Sequence, residues 1–137
     1  MMHSVSLRDH MLPQPATVHH DDTLREAMAL IVENRLSGLC VIDEDDRLIG
    51  ILSELDCLRA VLSAVYNKNA IGRVADYMTS ANLLIAHPDE DLVDVAQDML
   101  MNNMRRRPVV ENGRLVGQIT CRHLLKAAQD SEALHWT

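Results

Sequence analysis

Apolar residues recur at i, i+3, i+4, i+7 and i+8 in two stretches of the chain: Leu24, Ala27, Met28, Ile31 and Val32, and again Leu92, Val95, Ala96, Met99 and Leu100. This spacing predicts two helices, each with one apolar face. Their starts are marked as well. Thr23-Leu24-Arg25-Glu26 reads as a capping box and Asp91-Leu92-Val93-Asp94 as an acidic version of one, worth roughly 1 kcal/mol each. Helix boundaries near residues 23 and 91 follow. After each helix the pattern shortens. "LCVID" (39–43) and "RLIGIL" (47–52) are runs of branched residues joined by acidic turn residues, while "PVVE" and "RLVGQI" flank Asn112-Gly113. Each pair predicts an antiparallel hairpin. A closing helix is expected in both places, with Leu55, Leu58, Leu62 and Val65 on one face of the first and Leu124, Leu125 and Ala128 on one face of the second.

The two sets of elements are copies of one another, offset by 67 or 68 residues. "RDHM" (8–11) answers "ADYM" (75–78), "LREAMALIVEN" (24–34) answers "LVDVAQDMLMN" (92–102), and "RLIGILS" (47–53) answers "RLVGQIT" (114–120). The register slips only at loops, where a duplicated fold tolerates it. Each copy reads strand, helix, strand, strand, helix. A unit of about 60 residues buries too little surface to be comfortable alone. The expected fold is therefore α+β: two βαββα repeats sharing one core with pseudo-two-fold symmetry. Repeat 1 is expected at 7–66, a linker "NKNAIGRV" at 67–74, and repeat 2 at 75–130.

This doubled pattern resembles a tandem pair of CBS domains, also called a Bateman module. The likeness is carried by "RDHM" and "VADYMT" at the openings, "DDTLREAM" and "DEDLVDVA" on the first helices, and "CVIDEDDRLIGILSELD" and "PVVENGRLVGQIT" in the hairpins. It covers about residues 7 to 130. CBS pairs are not enzymes in themselves. They bind adenosine-containing ligands such as AMP, ADP, ATP, S-adenosylmethionine or NAD in clefts between the repeats, and two pairs commonly associate into a dimeric disc. The resemblance thus implies a stand-alone regulatory pair that forms a homodimer and signals to a separate effector protein. It implies no required cofactor, with an adenine nucleotide or S-adenosylmethionine as regulatory ligand. The alternative is a structural dimerisation module that binds no small ligand.

The family's ligand pattern is Gly, apolar, any, Ser or Thr, any, Ser or Thr, Asp. Copy one offers Gly50-Ile51-Leu52-Ser53-Glu54-Leu55-Asp56 and departs from it at Leu55. A helix N-terminus suits a phosphate, Ser53 adds a hydroxyl, and a carboxylate at Asp56 can accept from both hydroxyls of a ribose. Ser53 and Asp56 can equally be an N-cap and its N3 partner. In copy two Thr120 keeps the hydroxyl, but His123 replaces the acid, and an imidazole cannot chelate a diol as a carboxylate does. Before the strand of copy two stand Arg105, Arg106 and Arg107, where copy one has Ser37, Gly38 and Leu39, three positions that the resemblance assigns to its ligand cleft. The resemblance points to Arg105 and Arg106, ahead of Arg107, as a phosphate clamp beside Pro108; a solvated basic edge is the plainer reading. Thr17-Val18 and Ile85 match the strand that holds adenine in the family, or are ordinary core strand.

Composition narrows the choice. A net charge of -7 and only three aromatic residues oppose nucleic-acid binding. Cys40, Cys57 and Cys121 lack CxxC spacing and suit reduced thiols, and the N-terminus lacks a signal-peptide core. No stretch approaches 18 uninterrupted apolar residues. A cytoplasmic protein outside any membrane is expected. Catalytic residues are expected to be absent, because His123 lies too close along a helix start to face Cys121. "HHDD" at 19–22 is expected to be a polar loop with a cap, not a metal site, since four adjacent residues point in different directions. Met28, Met99 and Met104 fall on helical apolar stripes and are read as core.

Overall fold

The computed structural model describes residues 5–130. The chain divides into two compact units, and their membership is crossed. The first unit is Ala16–Leu83; of the described residues, the second combines 5–15 with 84–130.

In the first unit, β2 (Thr17–His19) leads to helix α1 (Leu24–Glu33), the hairpin β3 (Gly38–Ile42) and β4 (Leu48–Ser53), helix α2 (Glu54–Asn67) and a short helix α3 (Val74–Tyr77). Its sheet has the order β2-β3-β4, with β2 parallel to β3 and β3 antiparallel to β4. Thr79 bridges Ile51 on the far side of β4. In the second unit, a 3-10 turn (Leu7–Asp9) and β1 (Leu12–Pro13) join helix α4 (Leu92–Met101), the hairpin β5 (Arg106–Glu111) and β6 (Arg114–Thr120), and helix α5 (Cys121–Asp130). Here the order is β1-β6-β5.

The expected helix starts are present. Thr23 Oγ1 accepts from the Glu26 N–H at 3.1 Å and Asp91 from the Asp94 N–H at 3.3 Å. The Glu26 carboxylate does not reach back to the backbone; it accepts from the Thr23 hydroxyl instead. The Asn112-Gly113 turn has φ of 54° and 79°, as the twist of a two-residue hairpin requires.

Within each unit the buried apolar residues form one cluster: Leu24, Leu39, Val41, Leu52 and Val74 belong to that of the first, and Leu7, Leu92, Val95, Val109 and Ile119 to that of the second. Each small sheet is closed by the opening segment of the other sequence repeat. Leu7, fully buried, anchors in the cluster of repeat 2, and Val74, fully buried, in that of repeat 1. The compact units and the sequence repeats are therefore different cuts of the chain.

The first strand of copy two is reduced to one parallel bridge, Ala86 to Val109, with the Ala86 N–H donating to the Pro108 carbonyl. Pro108 stands where copy one has Cys40, and its missing N–H removes a ladder bond that β2 keeps. The end of the 67–74 segment is held by backbone hydrogen bonds, since Gly72 accepts from the Leu24 N–H and the Val74 N–H donates to the Asp22 carbonyl.

Candidate functional site

The end of the β3–β4 hairpin gathers the residues singled out in copy one. Gly38 pairs with Ser53, and the Glu54 N–H donates to the Ser37 carbonyl at 3.0 Å. Ser37, Gly38, Ser53 and the start of α2 thus meet at one point. Ser53 and Asp56 form a complete capping box: the Asp56 N–H donates to Ser53 Oγ at 3.1 Å, and the Ser53 N–H donates to Asp56 Oδ2 at 2.9 Å. The other carboxylate oxygen, Oδ1, accepts from the Arg59 guanidinium at 2.8 Å. Asp56 is 9% exposed while the Arg59 side chain is 67% exposed. The carboxylate is thus a fixed element, and the cation on it is free to swing away.

This geometry sharpens what the helix end can offer. The Glu54 and Asp56 N–H groups already have partners, so the proton of the Ser53 hydroxyl and the remaining lone pairs of Asp56 are the groups best able to meet a ligand. Thr17 pairs with Cys40 on the other edge of β3 and is half-buried. Val18 and Leu39 are buried in the hydrophobic cluster, so their side chains serve the core and only their backbone can serve a ligand.

Copy two repeats the layout with other chemistry. Arg106 pairs with Thr120, and the Cys121 N–H donates to the Arg105 carbonyl at 3.0 Å. His123 takes the place of the aspartate in the cap: its Nδ1 accepts from the Thr120 N–H at 3.2 Å and lies 2.8 Å from Thr120 Oγ1, while the His123 N–H donates to that oxygen. Burial, followed by the charges of Arg122 and Lys126, holds the imidazole pKa below its ordinary value. The neutral ring is the form that caps, because Nδ1 needs its lone pair.

The three arginines separate. Arg105 is exposed and Arg106 half-buried. Arg107 is buried, with Nη1 2.6 Å from Asp98 Oδ2 and Nη2 donating to Met104 Sδ, so it is committed within its own unit. Pro108 is buried in β5, and Ile85 is 47% exposed beside Ala86. The pairing of Arg59 with Asp56 is the element that sequence reading missed; its i,i+3 spacing on α2 was the available signal.

The face of α2 carrying Leu55, Leu58, Leu62 and Val65 is turned outward, each 46% to 66% exposed. Inward face the smaller Cys57 and Ala60. Burial raises the pKa of the Cys57 thiol, which keeps it protonated and inert. No helix among the described residues is long and apolar enough to cross a membrane.

Against known proteins, the CBS domain family model matches residues 7–63 and 74–130. The chain is 32% identical over 120 residues to protein MJ1225 of Methanocaldococcus jannaschii, covering 88% of this chain and 41% of that protein. It is 32% identical over 118 residues to inosine-5'-monophosphate dehydrogenase of Aquifex aeolicus, where it spans 23% of the enzyme. The chain therefore covers well under half the length of these two relatives. Among solved structures, CBSX2 in complex with AMP superposes with a TM-score of 0.80 at 31% identity, covering 90% of this chain and 96% of that one. The CBS domain pair of protein MJ0100, in complex with 5'-methylthioadenosine and S-adenosylmethionine, gives 0.77 at 26% identity, covering 93% and 98%.

Proposed function

We propose, from the premise that this chain belongs to the CBS domain family as a tandem pair, that it is a regulatory module which binds an adenosine-containing ligand and passes the binding on to a separate partner. The observation that carries this reading is the Ser53–Asp56 pair, a fixed hydroxyl and a fixed carboxylate at the start of α2. The hydroxyl donates to a phosphate, and the carboxylate accepts from a ribose diol once Arg59 moves aside. The AMP in CBSX2 and the 5'-methylthioadenosine and S-adenosylmethionine in the MJ0100 pair support the same class of ligand. In copy two, Thr120 with Arg105 and Arg106 offers cationic and hydroxyl groups but no acid, which favours phosphate over ribose. The mechanism is linkage: a ligand that binds one conformation better shifts its population by that difference in affinity.

The outward apolar face of α2 supports a homodimer, in which a second copy covers Leu55, Leu58, Leu62 and Val65. One observation favours the second reading, a dimerisation module without a small ligand: both oxygens of Asp56 already have protein partners.

Thermal melts with AMP, ADP, ATP, S-adenosylmethionine and NAD separate the two. A ligand at 100 times its dissociation constant adds about 2.7 kcal/mol of stability. A raised midpoint with at least one of them supports the sensor; five unmoved midpoints support the structural module.

A further inference from the structure

His20, Asp21 and Glu44 bring one ring nitrogen and two carboxylate oxygens within 4.8 Å of one another. His20 and Asp21 come from the loop between β2 and α1, and Glu44 from the turn of the β3–β4 hairpin. His20 Nδ1 already lies 3.1 Å from Asp21 Oδ1.

The second unit holds a trio of the same composition, His87, Asp89 and Glu111. His87 and Glu111 stand 67 residues on from His20 and Glu44, and Asp89 stands 68 on from Asp21. Here a cation is built in. The Arg8 guanidinium lies 2.8 Å from Glu111 Oε2 and 3.2 Å from Asp89 Oδ1, and these hydrogen bonds raise its pKa further. The residue 67 positions on from Arg8 is Ala75. Its N–H donates to the His20 carbonyl at 3.0 Å, so it sits beside the first trio without a side chain that could supply the charge. Arg73, the nearby arginine, donates to the Asp21 backbone carbonyl.

We propose that His20, Asp21 and Glu44 bind a divalent ion of the zinc type, at the place that the Arg8 guanidinium takes in the second unit. The donor set fits. Imidazole nitrogen with carboxylate oxygen suits zinc, whereas magnesium and calcium take oxygen ligands. Two carboxylates balance the ion's charge and leave water in the remaining positions. Ligands at about 2.0–2.2 Å from one ion stand roughly 3–4 Å apart. The trio needs only a small closure, and the Asp21 side chain, 73% exposed, has room to make it. The chemistry is confined to residues of the first unit and does not depend on the adenosine reading.

Calorimetric titration of the full chain with zinc chloride tests it, with magnesium chloride as the control cation. The wild type takes up one zinc ion and no magnesium. His20→Ala and Glu44→Gln each weaken zinc binding at least tenfold. Ala75→Arg, which keeps all three ligands and supplies the missing guanidinium, removes it. Arg8→Ala opens the second trio and raises the stoichiometry to two. A wild type that binds no zinc, or zinc binding unchanged by His20→Ala and Glu44→Gln, overturns the proposal. Melting curves of the zinc-free variants verify that these exposed substitutions leave the fold intact.

Discussion

Met78 packs over Gly50 so closely that a side-chain carbon on Gly50 would lie 2.7 Å from the Met78 sulphur. The second unit repeats the relationship between Met11 and Gly117, again at 2.7 Å. Two sequence motifs thus explain one another, because the glycine of each hairpin makes room for the methionine of "RDHM" or "ADYM". The glycines that open the ligand-binding pattern have a packing role whether or not a ligand binds.

The two contacts differ in what stands behind them. At Gly117 the Leu12 carbonyl, part of the backbone, would be 2.9 Å from the added carbon, while at Gly50 the Thr79 carbonyl would be at 3.1 Å. A methionine tip swings; a strand does not. Gly117→Ala is expected to cost about 1–3 kcal/mol, and Gly50→Ala less. Urea unfolding with unchanged slope measures both. Equal costs, or a stabilised Gly117→Ala, would contradict this packing.

The His123 cap makes a pH prediction. Its folded pKa is lowered, chiefly by burial and then by Arg122 and Lys126 on the same helix, and Arg106 pairs with Thr120 across the sheet. The folded state therefore holds its proton less tightly than the unfolded state. The contribution to stability is complete above the ordinary value of 6.5 and is lost as pH falls through the folded value. His123→Asp keeps an acceptor for the Thr120 N–H and stays ionised down to about pH 4. Between about pH 7 and pH 5, the wild type is expected to lose more stability than His123→Asp. Parallel pH profiles would rule the cap out as the cause.

Arg107 pairs with Asp98 from a buried position, and its Nε has no hydrogen-bond partner among the described residues. Asp98→Ala leaves that charge unanswered, at an expected cost of about 1.5–3 kcal/mol. Arg107→Met removes the need for an answer and places an apolar chain beside Met104, so it should cost less. Chemical denaturation of both variants decides the order. If Arg107→Met is the costlier, the pair is a net stabiliser.

Much of this was readable in the order of residues. Thr23, Ser53 and Asp91 mark helix starts through short side chains that bind the local backbone, and Asn112-Gly113 marks a turn through its positive φ. These signals are local. Three other features are not. The leucines of α2 have helical period but face outward, because the smaller Cys57 and Ala60 allow α2 to pack closely within the unit. Periodicity identifies an apolar face without saying what covers it. The trio of His20, Asp21 and Glu44 is hidden in sequence, since Glu44 joins the other two only through the hairpin turn. Likewise, the exchange of Leu7 and Val74 between clusters is a long-range choice that no local pattern carries.

The α2 face gives a prediction about assembly. Leu58 and Leu62 are 54% and 46% exposed. Leu58→Glu and Leu62→Glu are expected to turn a dimer into a monomer with little change in the fold of the chain. Sedimentation equilibrium reads the result directly. A wild-type monomer, or a dimer indifferent to both substitutions, would remove α2 from the interface.

The central claim rests on the Asp56 carboxylate, and calorimetric titration of AMP and S-adenosylmethionine into wild type and Asp56→Asn tests it most directly. Asparagine retains an oxygen for the Ser53 N–H, so the cap survives while the charge that would hold a ribose diol is lost. The expected result is saturable binding of at least one ligand by the wild type, weakened at least tenfold in Asp56→Asn, with similar melting temperatures for the two free proteins. Failure of both ligands to bind the wild type, or equal affinity in the variant, would leave Ser53 and Asp56 as a helix cap alone.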